Sequence, residues 1–272
     1  MARNEKSVTN DLSAGVSTRE HPWANVRLAY QPVHHVVCRQ PAGAEALLRR
    51  LEPDGSILGP QVVLEQSDRD GTDFELACYI VSLAAQQAKT WAGDNWLTGY
   101  RVGINVSPRV LGRPNFAASV LHILEQHECD PRNILIELTE TQYLDQFRSA
   151  LDQIRQLRAA EILIALDDFG AGYSNIGLLR SLPIDMIKID PVVFGDEPKA
   201  REISVVSHVV GMAQAVGAVV VAEGIENETQ LACVETAGVD YVQGWLFSRA
   251  TLAGQVAPGW GPSGQAPCTC WA

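Results

Sequence analysis

The chain has 272 residues, 46% of them hydrophobic, which suits one large core and matches an eight-stranded α/β barrel, a fold that commonly takes about 250 residues. A formal net charge of -11 excludes non-specific attraction to nucleic-acid polymers or anionic membranes. Six scattered cysteines fit no common zinc pattern, and the polar start lacks a secretory signal, so reduced thiols and a cytoplasmic location are expected.

In chain order, residues 1–22 read as a flexible segment. Eight apolar runs rich in β-branched residues then follow, at 28–33, 44–48, 102–106, 134–138, 162–166, 186–189, 218–222 and 241–247. Helical periodicity fills most of the gaps between them, at 74–91, 117–127, 147–160, 203–216 and 228–237. Alternating strand and helix predict a parallel sheet covered by helices, and eight such strands close into a (β/α)₈ barrel, here over residues 23–251. The first two runs are too close for a helical crossover, so the first strand is expected to run antiparallel to the second. Residues 252–272, rich in proline and glycine and carrying Cys268 and Cys270, read as a flexible tail. The longest apolar stretch, 205–222, is interrupted by Ser207, His208 and Gln214 and reads as helix, turn and buried strand rather than a membrane span.

Chemistry collects at the ends of these strands. Glu45, Asn105, Glu137 and Asp167 offer oxygen ligands from four strand ends, which suits hard divalent cations such as Mg²⁺ or Mn²⁺. Asp168 beside Asp167 allows one carboxylate to bridge two ions, the arrangement of a two-metal phosphodiesterase. Lys188 ends an apolar run, where its charge is costly unless it meets carboxylates or phosphate; a lysine reaching to the surface is the competing reading. Glu223 ends another run and suits either a general base or a ligand of the second metal. Arg49 suits a bidentate phosphate contact or a surface ion pair. His34 and His35, past the first run, read as a solvated turn. Asp168-Phe169-Gly170 matches a kinase metal motif, but no glycine-rich phosphate loop accompanies it.

Taken together, Tyr30-Gln31-Pro32-Val33, Glu45-Ala46-Leu47-Leu48-Arg49, Asn105-Val106-Ser107, Glu137-Leu138-Thr139-Glu140, Asp167-Asp168-Phe169-Gly170, Lys188-Ile189-Asp190, Glu223-Gly224-Ile225-Glu226 and Gln243-Gly244 closely resemble the EAL-domain phosphodiesterases, which hydrolyse the bacterial messenger cyclic di-GMP. The resemblance implies two ions, Mg²⁺ or Mn²⁺, with Glu45, Asn105, Glu137, Asp167 and Asp168 as metal ligands. It implies Lys188 and Glu223 in the chemistry, Glu140 bracing the loop 169–175, and Gln243 near the attacking water. Gln31, Leu47, Arg49 and Asp190 match substrate-binding positions. The implied product is linear pGpG, and a homodimer is a further implication. Departures occur at Ala171, Asn175, Ala250 and in the segment 60–68; none removes a ligand or a proton-transfer group. The alternatives are a non-catalytic cyclic di-GMP receptor or interaction module, and a Mg²⁺ barrel enzyme with Lys188 as base.

Overall fold

The computed structural model describes residues 22–93, 100–139, 144–172 and 176–253. The expectations for the first 21 residues and for nearly all of the tail therefore lie outside the described residues, as do Cys268 and Cys270. The barrel is built from β1 (Val26–His35), β2 (Pro41–Leu51), β4 (Arg101–Val106), β5 (Ile134–Thr139), β6 (Leu163–Phe169), β7 (Met186–Ile189), β8 (Val219–Ala222) and β9 (Tyr241–Val242), with two short strands, β3 (Ile57–Leu58) and β10 (Thr251–Leu252), at the margins. Pairing runs in order from β2 through β4 to β9 and returns to β1, which also pairs with β2, closing an eight-stranded ring. Strands β2 and β4 to β9 are parallel, and β1 is antiparallel to both its barrel neighbours. The antiparallel first strand follows from the short connection: only residues 36–40 lie between β1 and β2.

Helices α1 (Pro60–Asp70), α2 (Asp73–Ala92), α3 (Pro108–Leu111), α4 (Phe116–Gln126), α5 (Leu144–Ala159), α6 (Ile176–Ser181), α7 (Ala200–Val216) and α8 (Glu228–Ala237) flank this ring. Helix α2 shows why: Leu76, Ile80, Val81, Ala84, Ala85, Ala88 and Trp91 recur three and four apart, and all are buried. Strand residues that point outward, such as Ile134, Ile136 and Leu138 of β5, meet such helix faces in the larger core. Residues that point inward, including Val33, Leu135, Ala165, Met186, Val221 and Tyr241, form a second apolar cluster that fills the barrel.

Three expectations are corrected. The run 241–247 is a strand only at Tyr241–Val242. Beyond it the backbone turns, with Phe247 and Ser248 N–H groups donating to the Gly244 carbonyl, each at 3.1 Å. Gly244 permits this turn because a Cβ there would lie 2.1 Å from the Ile225 carbonyl oxygen. Next, His34 and His35 belong to β1 and pair with Val242 and Tyr241 rather than forming a solvated turn. His34 stacks on Phe247 at 4.9 Å between centroids, and burial lowers its pKa to about 4. Helices α1, α3 and α6 are not among the periodic segments because they are short or, as in α1, expose Val62 and Leu64 instead of burying a full stripe. At the other end, Leu252 pairs with Ala29 of β1, so the ordered chain continues into the segment read as tail. No described helix is long and apolar enough to cross a membrane.

Candidate active site

A two-residue step along five strands, ending within the strand or, for Glu223 and Gln243, on the first residue past it, carries the interior from apolar to polar. Leu135 is followed two positions on by Glu137, Ala165 by Asp167, Met186 by Lys188, Val221 by Glu223 and Tyr241 by Gln243. Because side chains alternate across a strand, each polar residue sits on the same inward face as its apolar predecessor, one layer nearer the C-terminal mouth. The antiparallel pair contributes to the same layer, with Gln31 of β1 directly opposite Glu45 of β2.

Lys188 stands at the centre with 1% of its side chain exposed, which removes the surface-lysine reading. Its Nζ lies 2.5 Å from Glu137 Oε2, 2.7 Å from Glu223 Oε1, 3.2 Å from Asp167 Oδ1 and 3.5 Å from Glu45 Oε2. Burial alone would lower the lysine pKa, but Glu137, Glu223, Glu45 and Asp167 reverse that and hold it well above the usual value. The carboxylates respond unequally. Burial pushes Glu137 up to about 8 against the pull of Lys188, and it also drives Glu223 well above the usual carboxylate range. For Glu45 burial likewise acts upward, but Lys188, Gln243 and Asn105 outweigh it and keep this carboxyl low. Asn105 Nδ2 donates to Glu45 Oε1 at 2.7 Å, and Gln243 Nε2 donates to Glu45 Oε2 at 2.7 Å.

Two sets of carboxylates have ligand atoms within 4.8 Å of one another: Glu45, Glu137 and Asp167, and then Asp167, Asp168 and Glu223. Asp167 belongs to both. Asp168 reaches the second set through a left-handed backbone, φ 56°, at an irregularity in the pairing of β6 with β7. That conformation is costly for a residue with a Cβ, though tolerated better by Asp than by most. Burial raises the Asp168 pKa, and Asp167 and Asp190 reinforce the rise.

The remaining expected positions separate into two groups. Gln31 joins the site, accepting from Gln243 Nε2 at 3.2 Å and donating to the Ser248 carbonyl at 3.1 Å. Leu47 and Arg49 follow Glu45 on the same face of β2 and climb out of the barrel, both half-buried. Arg49 donates to the neighbouring Leu48 carbonyl at 2.8 Å. Asp190 is not part of either carboxylate set; its Oδ1 accepts from Val192 N at 2.7 Å and caps the short turn at Pro191–Val193. Glu140 and Asn175 lie outside the described residues.

Two contributors went unnoticed in the sequence. Gly103 of β4 gives the Glu137 carboxylate its place, since a Cβ there would lie 1.8 Å from Glu137 Oε1. A lone glycine inside an apolar strand was the available signal. Trp245, 56% exposed just beyond Gln243, was hidden within what read as a strand.

The EAL domain family model matches residues 19–250. This chain belongs to the EAL domain family. Among curated relatives, the probable cyclic di-GMP phosphodiesterase PdeB of Escherichia coli is 33% identical over 81% of this chain and 42% of its own length. Among solved structures, the PaMucR phosphodiesterase in a cyclic di-GMP complex superposes with a TM-score of 0.77 at 27% identity, covering 86% of this EAL domain and 94% of that chain. The manganese and cyclic di-GMP complex of Klebsiella pneumoniae BlrP1 superposes at a TM-score of 0.73 and 28% identity, over 86% of this EAL domain and 57% of that chain. The chain spans between 27% and 42% of the length of the curated relatives it first matches.

Proposed function

We propose that this EAL domain is a metal-dependent phosphodiesterase that hydrolyses cyclic di-GMP to linear pGpG. The observation that carries the reading is the shared Asp167, which joins two carboxylate sets around Lys188 at the mouth of an EAL barrel. The donor set fits hard cations. Glu45, Glu137, Asp167, Asp168 and Glu223 face a single ammonium, a negative excess that oxygen-seeking divalent ions would neutralise. Glu45, Asn105, Glu137 and Asp167 would hold one ion, and Asp167 with Asp168 the second, Mg²⁺ or Mn²⁺ in each case. When bound, these ions supply Lewis-acid polarisation of the phosphate and acidify the attacking water.

The protein's own groups do the rest. Gln243 is 3% exposed; its amide nitrogen serves Glu45 and Gln31, while its Oε1 is buried without a partner. That free acceptor can orient a water hydrogen. Glu223, 2.7 Å from Lys188, is placed to take the water's proton once bound cations have displaced its own, and Lys188 can offset charge building on the phosphate oxygens. Gln31, Leu47 and Arg49 line a path out of the barrel along β1 and β2, where the guanidinium of Arg49 can hold a phosphate.

Incubating the purified chain with cyclic di-GMP and Mg²⁺ or Mn²⁺, followed by chromatography, tests the reading. Linear pGpG from wild type, abolished in Glu45→Ala and Glu223→Gln, is the expected result. Ligand binding without product would move the domain to the receptor class. A homodimer accompanies this reading as a separate expectation, measured by light scattering.

A further inference from the structure

The turn after β9 presents the one tryptophan among the large exposed hydrophobic side chains of the described residues. Trp245 keeps 56% of its surface in solvent, and the Arg249 guanidinium lies 4.1 Å from the centroid of its ring system. The surrounding backbone is firmly held. Ile225 N–H donates to the Gln243 carbonyl at 3.0 Å and Leu246 N–H to the Ile225 carbonyl at 2.9 Å, with Gly244 wedged between. Gln31 fastens the far side of the turn through its bond to the Ser248 carbonyl, and its own Oε1 accepts from Gln243 on the site floor. Trp245 thus sits two residues from Gln243, past the C-terminal end of a barrel strand, on a backbone held by these bonds.

A surface cation–π pair of this kind can also be a minor stabilising contact, worth about 0.5–1 kcal/mol at exposed sites. Location argues for more. The floor of the mouth is crowded with carboxylates, which favour cations, and a phosphate only through them, and offer no face on which a flat ring could stack. A purine is better served by an indole with a guanidinium already on one face, and Arg249 adds positive charge beside that ring in a chain of net charge -11.

We propose that Trp245, backed by Arg249, is a nucleobase platform on which one purine of the dinucleotide stacks while its phosphodiester lies over the carboxylates. The proposal rests on the phosphodiesterase reading and adds to it the group that recognises a base. Trp245 is a substrate-binding residue in this account and takes no part in proton transfer.

The test combines cyclic di-GMP titration calorimetry in Ca²⁺ with steady-state hydrolysis in Mn²⁺, for wild type, Trp245→Ala, Trp245→Phe, Trp245→Leu and Arg249→Ala, each checked for folding by circular dichroism. Loss of one base–aromatic stack is expected to raise Kd and KM about tenfold in Trp245→Ala. The loss should fall on Kd and KM rather than on kcat. Phenylalanine should restore most of the affinity and leucine little of it, because stacking needs a π face; a merely structural apolar contact would be rescued by both. Arg249→Ala should give a smaller rise. Wild-type binding and cleavage with Kd and KM unchanged within about twofold in Trp245→Ala would overturn the platform and leave the activity standing. A wild type that neither binds nor cleaves cyclic di-GMP would sink both.

Discussion

The apolar layer of Leu135, Ala165, Met186, Val221 and Tyr241 and the polar layer of Glu137, Asp167, Lys188, Glu223 and Gln243 occupy the same face of the same five strands, two residues apart. Below, burial is stabilising everywhere, since each side chain trades water for close-packed neighbours. Above, burial is costly for each group alone and tolerable only because five carboxylates and one ammonium meet. The comparison teaches that stability and function are segregated along the barrel axis. The lower layer can carry the fold while the upper one is held in a state of excess negative charge that suits cation binding.

The sharpest way to break this division is to remove its central charge. Lys188→Met leaves Glu137, Glu223, Asp167 and Glu45 without their shared partner, and turnover should fall by about a thousandfold or more, as for removal of a positioned charge-stabilising group. Urea unfolding in chelator above pH 8, where Glu137 is ionised, should show a stability loss of about 3 kcal/mol or more, because uncompensated buried charge remains. Retention of near wild-type stability in chelator would mean that the carboxylates had already been neutralised by protons.

Truncating the lower layer probes the other half. Leu135→Ala should cost about 2–4 kcal/mol, read by urea unfolding, with turnover per folded molecule close to wild type. A large loss of turnover in the folded variant would show that the two layers are coupled through β5.

Metal linkage sharpens the comparison further. A divalent ion at a hundredfold excess over its Kd should stabilise the folded chain by about 2.7 kcal/mol, measured as a shift in the unfolding midpoint, and Asp167→Asn should remove most of this. The pH dependence has a defined sign. Glu137, raised to about 8, and Glu223, also raised, hold protons in the folded chain that the unfolded chain releases. The stability Glu137 contributes without metal is complete below the unfolded carboxylate value of 4.5 and is lost as pH rises through about 8, and that of Glu223 is lost in the same direction, well above the usual carboxylate range. Metal must displace those protons, so its stabilisation should grow over the same interval. A metal effect that shrinks with rising pH would contradict this assignment.

The smallest effect is expected outside both layers. Asn227 caps α8 by accepting from Gln230 N at 2.9 Å, and Asn227→Ala should cost about 1 kcal/mol in thermal or urea unfolding. Its metal-linked stabilisation should match wild type. A change in that increment would extend the polar layer's influence into the loop after β8.

The sequence by itself determined the alternation of strand and helix, the antiparallel first strand and the order of the chemistry-bearing residues. Apolar periodicity and the brevity of one connection are local facts that folding preserves. It also determined which residue types could meet, since a lysine and several carboxylates ending apolar runs leave few other stable arrangements. Only the tertiary structure decided who touches whom. Lys188 meets Glu45, Glu137, Asp167 and Glu223 because closing the ring brings β2, β5, β6 and β8 around β7, a relation across more than 140 positions for Glu45 that no local pattern encodes. Asp190, in the same family of strand-end residues, instead spends an oxygen on capping a turn. Trp245 and Gly103 were hidden for the same reason. An aromatic in an apolar run reads as core, and a glycine in a strand reads as a defect, until the turn at Gly244 leaves Trp245 exposed and the carboxylate of Glu137 arrives beside Gly103. Local patterns fix what each segment prefers, and closure of the barrel supplies the neighbours that turn those preferences into a site.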